Sequence, residues 1–192
     1  MKKNVAGAAL AVMFATVYTN ANEDFKIANE ESVSPYYMTV KLMTTSGGTV
    51  YEEHEILKGD HARGIGIDVG YKFNPHFAVE FSAAYGRNDV AKTEEGSLES
   101  EIVRATYVSY ALNFVFFQPL WDEIGFFAKL GYEKEHEKIS ALNISEDDYG
   151  VDYAIGFNYE LNAHNAIFIE HERSTIDGLR GDAYFVGLEF KF

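Results

Sequence analysis

The chain of 192 residues has the length of a single domain, and with 47% hydrophobic and 15% aromatic residues it is too apolar to be disordered. It contains no cysteine, which removes disulfide frameworks and thiolate metal sites from consideration. Its formal net charge of -14, with no basic run anywhere, argues against nucleic-acid binding, where affinity comes from neutralising phosphates with Lys and Arg.

The N-terminus opens with Lys2 and Lys3, continues through an apolar stretch from Val5 to Val17, and reaches small residues at Thr19 and Ala21. This order predicts a secretory signal peptide over residues 1–21, cleaved after Ala21. The apolar stretch is too short for a spanning helix, which needs about 20 residues. Residues 22–34 are polar and acidic and read as a lead-in to, or a short periplasmic plug of, the domain over 35–192.

From there the chain alternates apolar and polar residues, the period of a strand whose successive side chains face opposite ways. Tyr36, Met38, Val40 and Leu42 share a face opposite Thr39 and Lys41. Ile65, Ile67, Val69, Tyr71 and Phe73 oppose Gly66, Asp68, Gly70 and Lys72, and Phe77, Val79, Phe81, Ala83 and Tyr85 oppose Ala78, Glu80, Ser82 and Ala84. Val108, Tyr110, Leu112, Phe114 and Phe116 form the next apolar face, followed by Ile124, Phe126, Ala128, Leu130 and Tyr132 opposite Gly125, Phe127, Lys129 and Gly131. Val151, Tyr153, Ile155, Phe157 and Tyr159 oppose Asp152, Ala154, Gly156 and Asn158. Ile167, Ile169 and His171 oppose Phe168, Glu170 and Glu172, and the last strand sets Tyr184, Val186, Leu188, Phe190 and Phe192 against Gly187, Glu189 and Lys191. The connections alternate: long over 45–61, 87–101, 134–148 and 174–182, short over 74–76, 118–123 and 160–165.

About eight strands with alternating long and short links predict an all-β, antiparallel, up-and-down transmembrane barrel with both termini in the periplasm. The second face, rich in Gly, Ala and Ser with isolated charges, suits the lumen of a narrow barrel, and the bulky apolar face suits lipid. Aromatic residues gather at strand ends: Phe73, Phe77, Phe116, Phe117, Trp121, Phe157, Tyr159, Phe190 and Phe192 at one end, Tyr85, Tyr132, Tyr149 and Tyr184 at the other. Two girdles at headgroup level account for that placement.

The closing strand, Ala183 to Phe192, carries Gly187, Phe190 and Phe192 in the spacing of the C-terminal strand of small outer-membrane barrels. On these residues and the strand pattern, the chain resembles the OmpA- and OmpX-like barrels over about residues 36–192. The resemblance implies insertion in the outer membrane of a Gram-negative cell envelope, contact there with lipid and lipopolysaccharide, and an assembly signal at Gly187, Phe190 and Phe192 read by the barrel-assembly machinery. Phe185 stands where a polar residue is more usual. Because the chain ends at the barrel, no peptidoglycan-binding domain is expected.

The candidate site is a lumenal ion-pair network formed by Lys41, Asp68, Lys72, Glu80, Lys129, Glu133, Asp152, Glu170, Glu172, Glu189 and Lys191, since isolated charges in a narrow lumen need partners. Lys72, Lys129 and Lys191 are expected to meet carboxylates of neighbouring strands. Such a network fills and stiffens the barrel, which predicts a structural or surface-interaction role; the alternative is a weakly conducting, porin-like channel. A lipid A-modifying enzyme is a lesser alternative. His171 and Ser174 are close in sequence, but they face opposite sides of a strand, and His171-Glu172-Arg173-Ser174-Thr175 departs from the His-x-Ser-Asn pattern of lipid A deacylases. Acids on the long connections (Glu52, Glu53, Glu55, Glu94, Glu95, Glu99, Glu135, Glu137, Glu146, Asp147 and Asp148), with His54, His61 and His136 among them, read as a solvated surface. Asp147 and Asp148 are weak candidates for a bridging divalent cation. No phosphate-binding loop or His-rich motif is present, and neither a cofactor, a resident metal nor catalysis is expected.

Overall fold

A computed structural model describes residues 34–51, 55–94 and 99–192. The signal peptide and nearly all of the lead-in lie outside the described residues. Among the described residues there are ten strands: β1 (Tyr36–Thr45), β2 (Thr49–Tyr51), β3 (Glu55–Gly59), β4 (Arg63–Asn74), β5 (Phe77–Glu94), β6 (Ser100–Pro119), β7 (Ile124–Ile139), β8 (Ile144–Asn162), β9 (Asn165–Ser174) and β10 (Ala183–Lys191). Eight of them close a ring in which each pairs antiparallel with its neighbours: β1 with β4, then β5 through β10 in order, and β10 back onto β1. The closing register sets Tyr37 opposite Lys191 and Thr45 opposite Ala183. Closure gives each of these eight strands a neighbour on both sides, which is the condition for placing a sheet in hydrocarbon.

Alternation settles which face points where. On β4, Ile65, Ile67 and Val69 are exposed while Gly66, Asp68 and Gly70 face inward, and β6, β8 and β10 repeat the pattern. An apolar exterior over a polar interior inverts the pattern of a water-soluble barrel. The interior is filled by matching large side chains to small ones on neighbouring strands. A Cβ on Gly70 would collide with the ring of Tyr37, and one on Gly156 with the ring of Phe127. The sequence pattern of glycine on the inward face is therefore a packing requirement.

Two of the short turns share one device. Asn74 Oδ1 accepts from the backbone N–H of His76 (2.8 Å) and Phe77 (3.0 Å), and Asn162 Oδ1 accepts from His164 (2.9 Å) and Asn165 (3.0 Å). Each Asn-x-His turn thus satisfies its own backbone donors through an Asx side chain.

The long connections differ from expectation. Strand structure continues through most of 45–61, 87–101 and 134–148: β2 pairs with β3, β3 pairs with β5 as far as Glu94, and β7 pairs with β8 up to Ile139 opposite Ile144. The cause is apolar alternation that runs past the membrane band. Leu57, Val90, Val103, Ala105, Tyr107, Ile139 and Leu179 are buried together on the inner face of these extensions, with Ala62 among them. Asn143, in the left-handed conformation with φ 56°, closes the β7–β8 tip. Only the connection after β9 remains without strand, as expected for 174–182.

Candidate functional site

The inward faces stack into layers along the barrel. At the end carrying the short turns, Tyr37, Ala78, Val115, Phe127 and Phe168 pack with Phe117. Phe117, expected in the girdle, is instead a lumen residue whose ring meets Tyr37 and Phe127 edge-on or tilted. The reason is parity: Phe116 and Phe117 are adjacent, so only one of them can face lipid. Beside this layer Lys72 Nζ lies 3.3 Å from Glu189 and over the rings of Phe117 and Tyr37, while Lys191 pairs with Glu160 and lies 3.7 Å from Glu189.

The middle layer is ionic. Lys129 Nζ, from β7, lies 2.5 Å from Glu80 on β5, 2.6 Å from Glu170 on β9 and 3.5 Å from Asp68 on β4. Lys41 Nζ, from β1, is 3.0 Å from Asp68 and 3.1 Å from Glu170, with the Phe185 ring 4.2 Å away. Neutral donors complete the set: Tyr37 donates to Glu80 (2.9 Å), Thr39 to Asp68 (2.6 Å) and Ser82 to Glu80 (3.3 Å). Five strands are thereby tied through the lumen, with Lys41, Asp68, Glu80, Lys129 and Glu170 all almost fully buried. The void between this layer and the aromatic one, lined by Thr39, Glu80, Phe117, Phe127, Lys129, Phe168 and Glu189, has about 10 Å³, room for about one water.

The next layer is organised by a residue that strand parity did not flag. Arg180, in the connection between β9 and β10, folds into the barrel mouth, 4% exposed. Its guanidinium lies 3.1 Å from Glu133, 3.0 Å from Glu135 and 3.8 Å from Glu172. Burial works against its charge, but these carboxylates more than offset the cost and hold its pKa above the ordinary arginine value. The backbone around it is stitched to the break between β1 and β2: Gly47 N–H donates to Arg180 O (3.0 Å), Gly48 N–H to Leu179 O (2.8 Å) and Ser46 N–H to Asp182 O (2.9 Å). Gly47 and Gly181, with φ of 73° and 71°, supply the left-handed residues this crossing needs.

Four expectations change here. Glu135, read as a solvated loop acid, is buried against Arg180 because β7 continues inward-outward alternation through it. Glu137, half-buried on the same face, has its carboxyl pushed up to about 7 by burial, then by Glu135, Glu146 and Asp148. Asp147 and Asp148 stand on β8 rather than on a loop, and Asp147 is held by Lys134 (2.9 Å) and His136 (2.7 Å). Asp152 is buried in the lumen as its parity requires, but among the described residues no cation pairs with it and its Oδ1 lacks a hydrogen-bond partner. His171 and Ser174 stay apart in role: the imidazole stacks on Tyr184 at 4.8 Å and reaches Asp182 at 3.4 Å, whereas the Ser174 hydroxyl accepts from the Ile176 N–H.

The arrangement matches a known family across almost the whole chain: residues 7–192 fit the model of the outer membrane protein beta-barrel domain. The chain belongs to that family. Its family places it in the outer membrane. Solved barrels share the fold at low identity. OprG from Pseudomonas aeruginosa aligns with TM-score 0.68 and 13% identity, covering 83% of this chain and 97% of that one. Neisserial surface protein A gives TM-score 0.57 and 13% identity over 84% of this chain and 100% of that one. The Yersinia pestis attachment invasion locus protein Ail, in complex with the heparin analogue sucrose octasulfate, gives 0.53 and 19% identity over 82% and 97%. No curated protein matches the chain.

Proposed function

We propose that this outer-membrane barrel is a closed structural and surface-interaction protein with a plugged lumen. The single observation that carries the reading is the stacking of seals along one axis. An aromatic layer, a five-strand ionic layer, the Arg180 cluster and the apolar cluster around Tyr107 and Leu179 follow one another inside the ring. An ion crossing the lumen would have to part the Lys129 and Lys41 pairs and then displace Arg180. Breaking buried pairs of this kind costs several kcal/mol each, on the order of 3–5 kcal/mol. The strand extensions beyond the apolar band, with Tyr51 and Ile102 exposed at 76% and 64%, offer surface for a partner outside the membrane. Lipid and lipopolysaccharide are the partners the location supplies, and Gly187 and Phe190 on β10, with Phe192 just after it, are proposed as the signal read during assembly. A catalytic role is not proposed, because His171 is engaged by Tyr184 and Asp182 and, among the described residues, no hydroxyl nucleophile is bonded to it. Recording from the refolded barrel in planar bilayers tests the reading. The closed barrel leaves the membrane silent, while steady stepwise conductance would favour a channel.

A further inference from the structure

The outer face carries a charge pattern that the lumen does not explain. Above the apolar band of β4 and β5 the outward tier changes abruptly from Ile65 and Tyr85 to Arg63 and Arg87. The two arginines are direct cross-strand partners. Like charges directly opposite are destabilising unless something neutralises them. Both are exposed, and among the described residues no ion pair or hydrogen bond engages either side chain. Of the nearby carboxylates, Asp89, two residues along β5, faces Arg104 at 3.6 Å, Asp182 faces Arg173 at 3.2 Å, and Asp60 accepts from the His61 N–H (2.7 Å). The row continues around the sheet: Arg87 lies opposite Thr106, and Thr106, whose hydroxyl donates to the Lys138 carbonyl (3.3 Å), lies opposite the exposed Lys138. In a chain of net charge -14 this is an unneutralised basic row, set where the girdle tyrosine Tyr85 marks headgroup level.

We propose that Arg63 and Arg87 form a clamp for the phosphate monoester of a membrane lipid headgroup, with Lys138 extending the site. Two guanidinium forks on adjacent strands suit the oxygens of a phosphate, which they bind in bidentate fashion. The same phosphate removes the repulsion between them. The lipid source follows from the tier itself: acyl chains of a lipid held there lie along Ile65, Ile67, Phe81 and Ala83, directly below. The inference rests on the membrane placement of that band and not on the closed lumen.

The test uses the full chain refolded in phosphatidylcholine nanodiscs doped with phosphatidic acid, with retained lipid counted by native mass spectrometry. Wild type is expected to keep phosphatidic acid, and Arg63→Gln with Arg87→Gln to bind it about tenfold more weakly. Arg104→Gln with Lys134→Gln, an equal loss of charge from paired residues, should leave retention close to wild type. Arg63→Lys with Arg87→Lys keeps the charge but removes the forks, and is expected to fall between. Equal losses in the two glutamine pairs would overturn the clamp, since only net charge would then matter. Displacement of the lipid by inorganic phosphate at matched concentration would overturn the lipid assignment. A heat-dependent shift on detergent gels, run for each variant, separates these outcomes from failure of the barrel itself.

Discussion

At the scale of single residues the ionic layer is the most exposed to test. Lys129 is the only cation within reach of Glu80 among the described residues, and it shares Asp68 and Glu170 with Lys41. Lys129→Met should therefore destabilise the barrel by about 3–5 kcal/mol, because three carboxylates remain buried with one cation. Urea-induced unfolding in lipid vesicles measures the loss. A second prediction concerns Glu137, whose carboxyl rises from its ordinary 4.5 to about 7 through burial and through Glu135, Glu146 and Asp148. A raised carboxyl pKa means the folded hairpin prefers the protonated form. Its contribution is fully present below about 4.5 and is lost as pH rises through about 7. Amide exchange at the β7–β8 tip, corrected for intrinsic base catalysis, should accelerate across that window in wild type and stay flat in Glu137→Gln. Lys41, Lys129 and Glu170 are legible in the sequence because strand parity alone sends them inward. Arg180 is not legible in this way, since a residue on an irregular connection has no parity to read.

At the scale of elements, the strands and short turns follow from period two, yet three of the four long connections carry more strand than that pattern predicts. The apolar alternation of Val90, Val103, Ala105 and Tyr107 continues past the girdle, but charges interleave with it there, so a reading tuned to the lipid face stops at Tyr85 and Val108. The β9–β10 connection behaves as the stopper of the mouth, with Arg180 as its anchor. Arg180→Leu should leave Glu133, Glu135 and Glu172 uncompensated and release the connection. Hydrogen exchange of the Gly47 and Gly48 amides, which donate to Arg180 and Leu179, should then quicken on the order of a hundredfold, matching the loss of about 3 kcal/mol. The ionic and aromatic layers below stay in place, so this variant is expected to remain non-conducting. Unchanged protection at Gly47 and Gly48 would show that the backbone stitches suffice without the guanidinium.

For the whole molecule, fold and membrane placement were the most legible properties, because a closed sheet with an apolar outside leaves a period-two signature on every strand. The filling of the lumen was less so: that Gly70 makes room for Tyr37 and Gly156 for Phe127 depends on the register between neighbouring strands, which sets each glycine directly opposite its ring. An apolar exterior around a filled interior is directly accessible to labelling, because the chain has no native cysteine. Single cysteines placed along β6 from Val108 to Phe114 in the reconstituted barrel provide the measurement. Nitroxides at Val108, Tyr110, Leu112 and Phe114 should collide with oxygen dissolved in the bilayer, while thiols at Ser109, Ala111 and Asn113 stay closed to a water-soluble methanethiosulfonate. Rapid aqueous modification at Ser109, Ala111 and Asn113, or the loss of alternation between the two sets, would contradict a plugged transmembrane barrel.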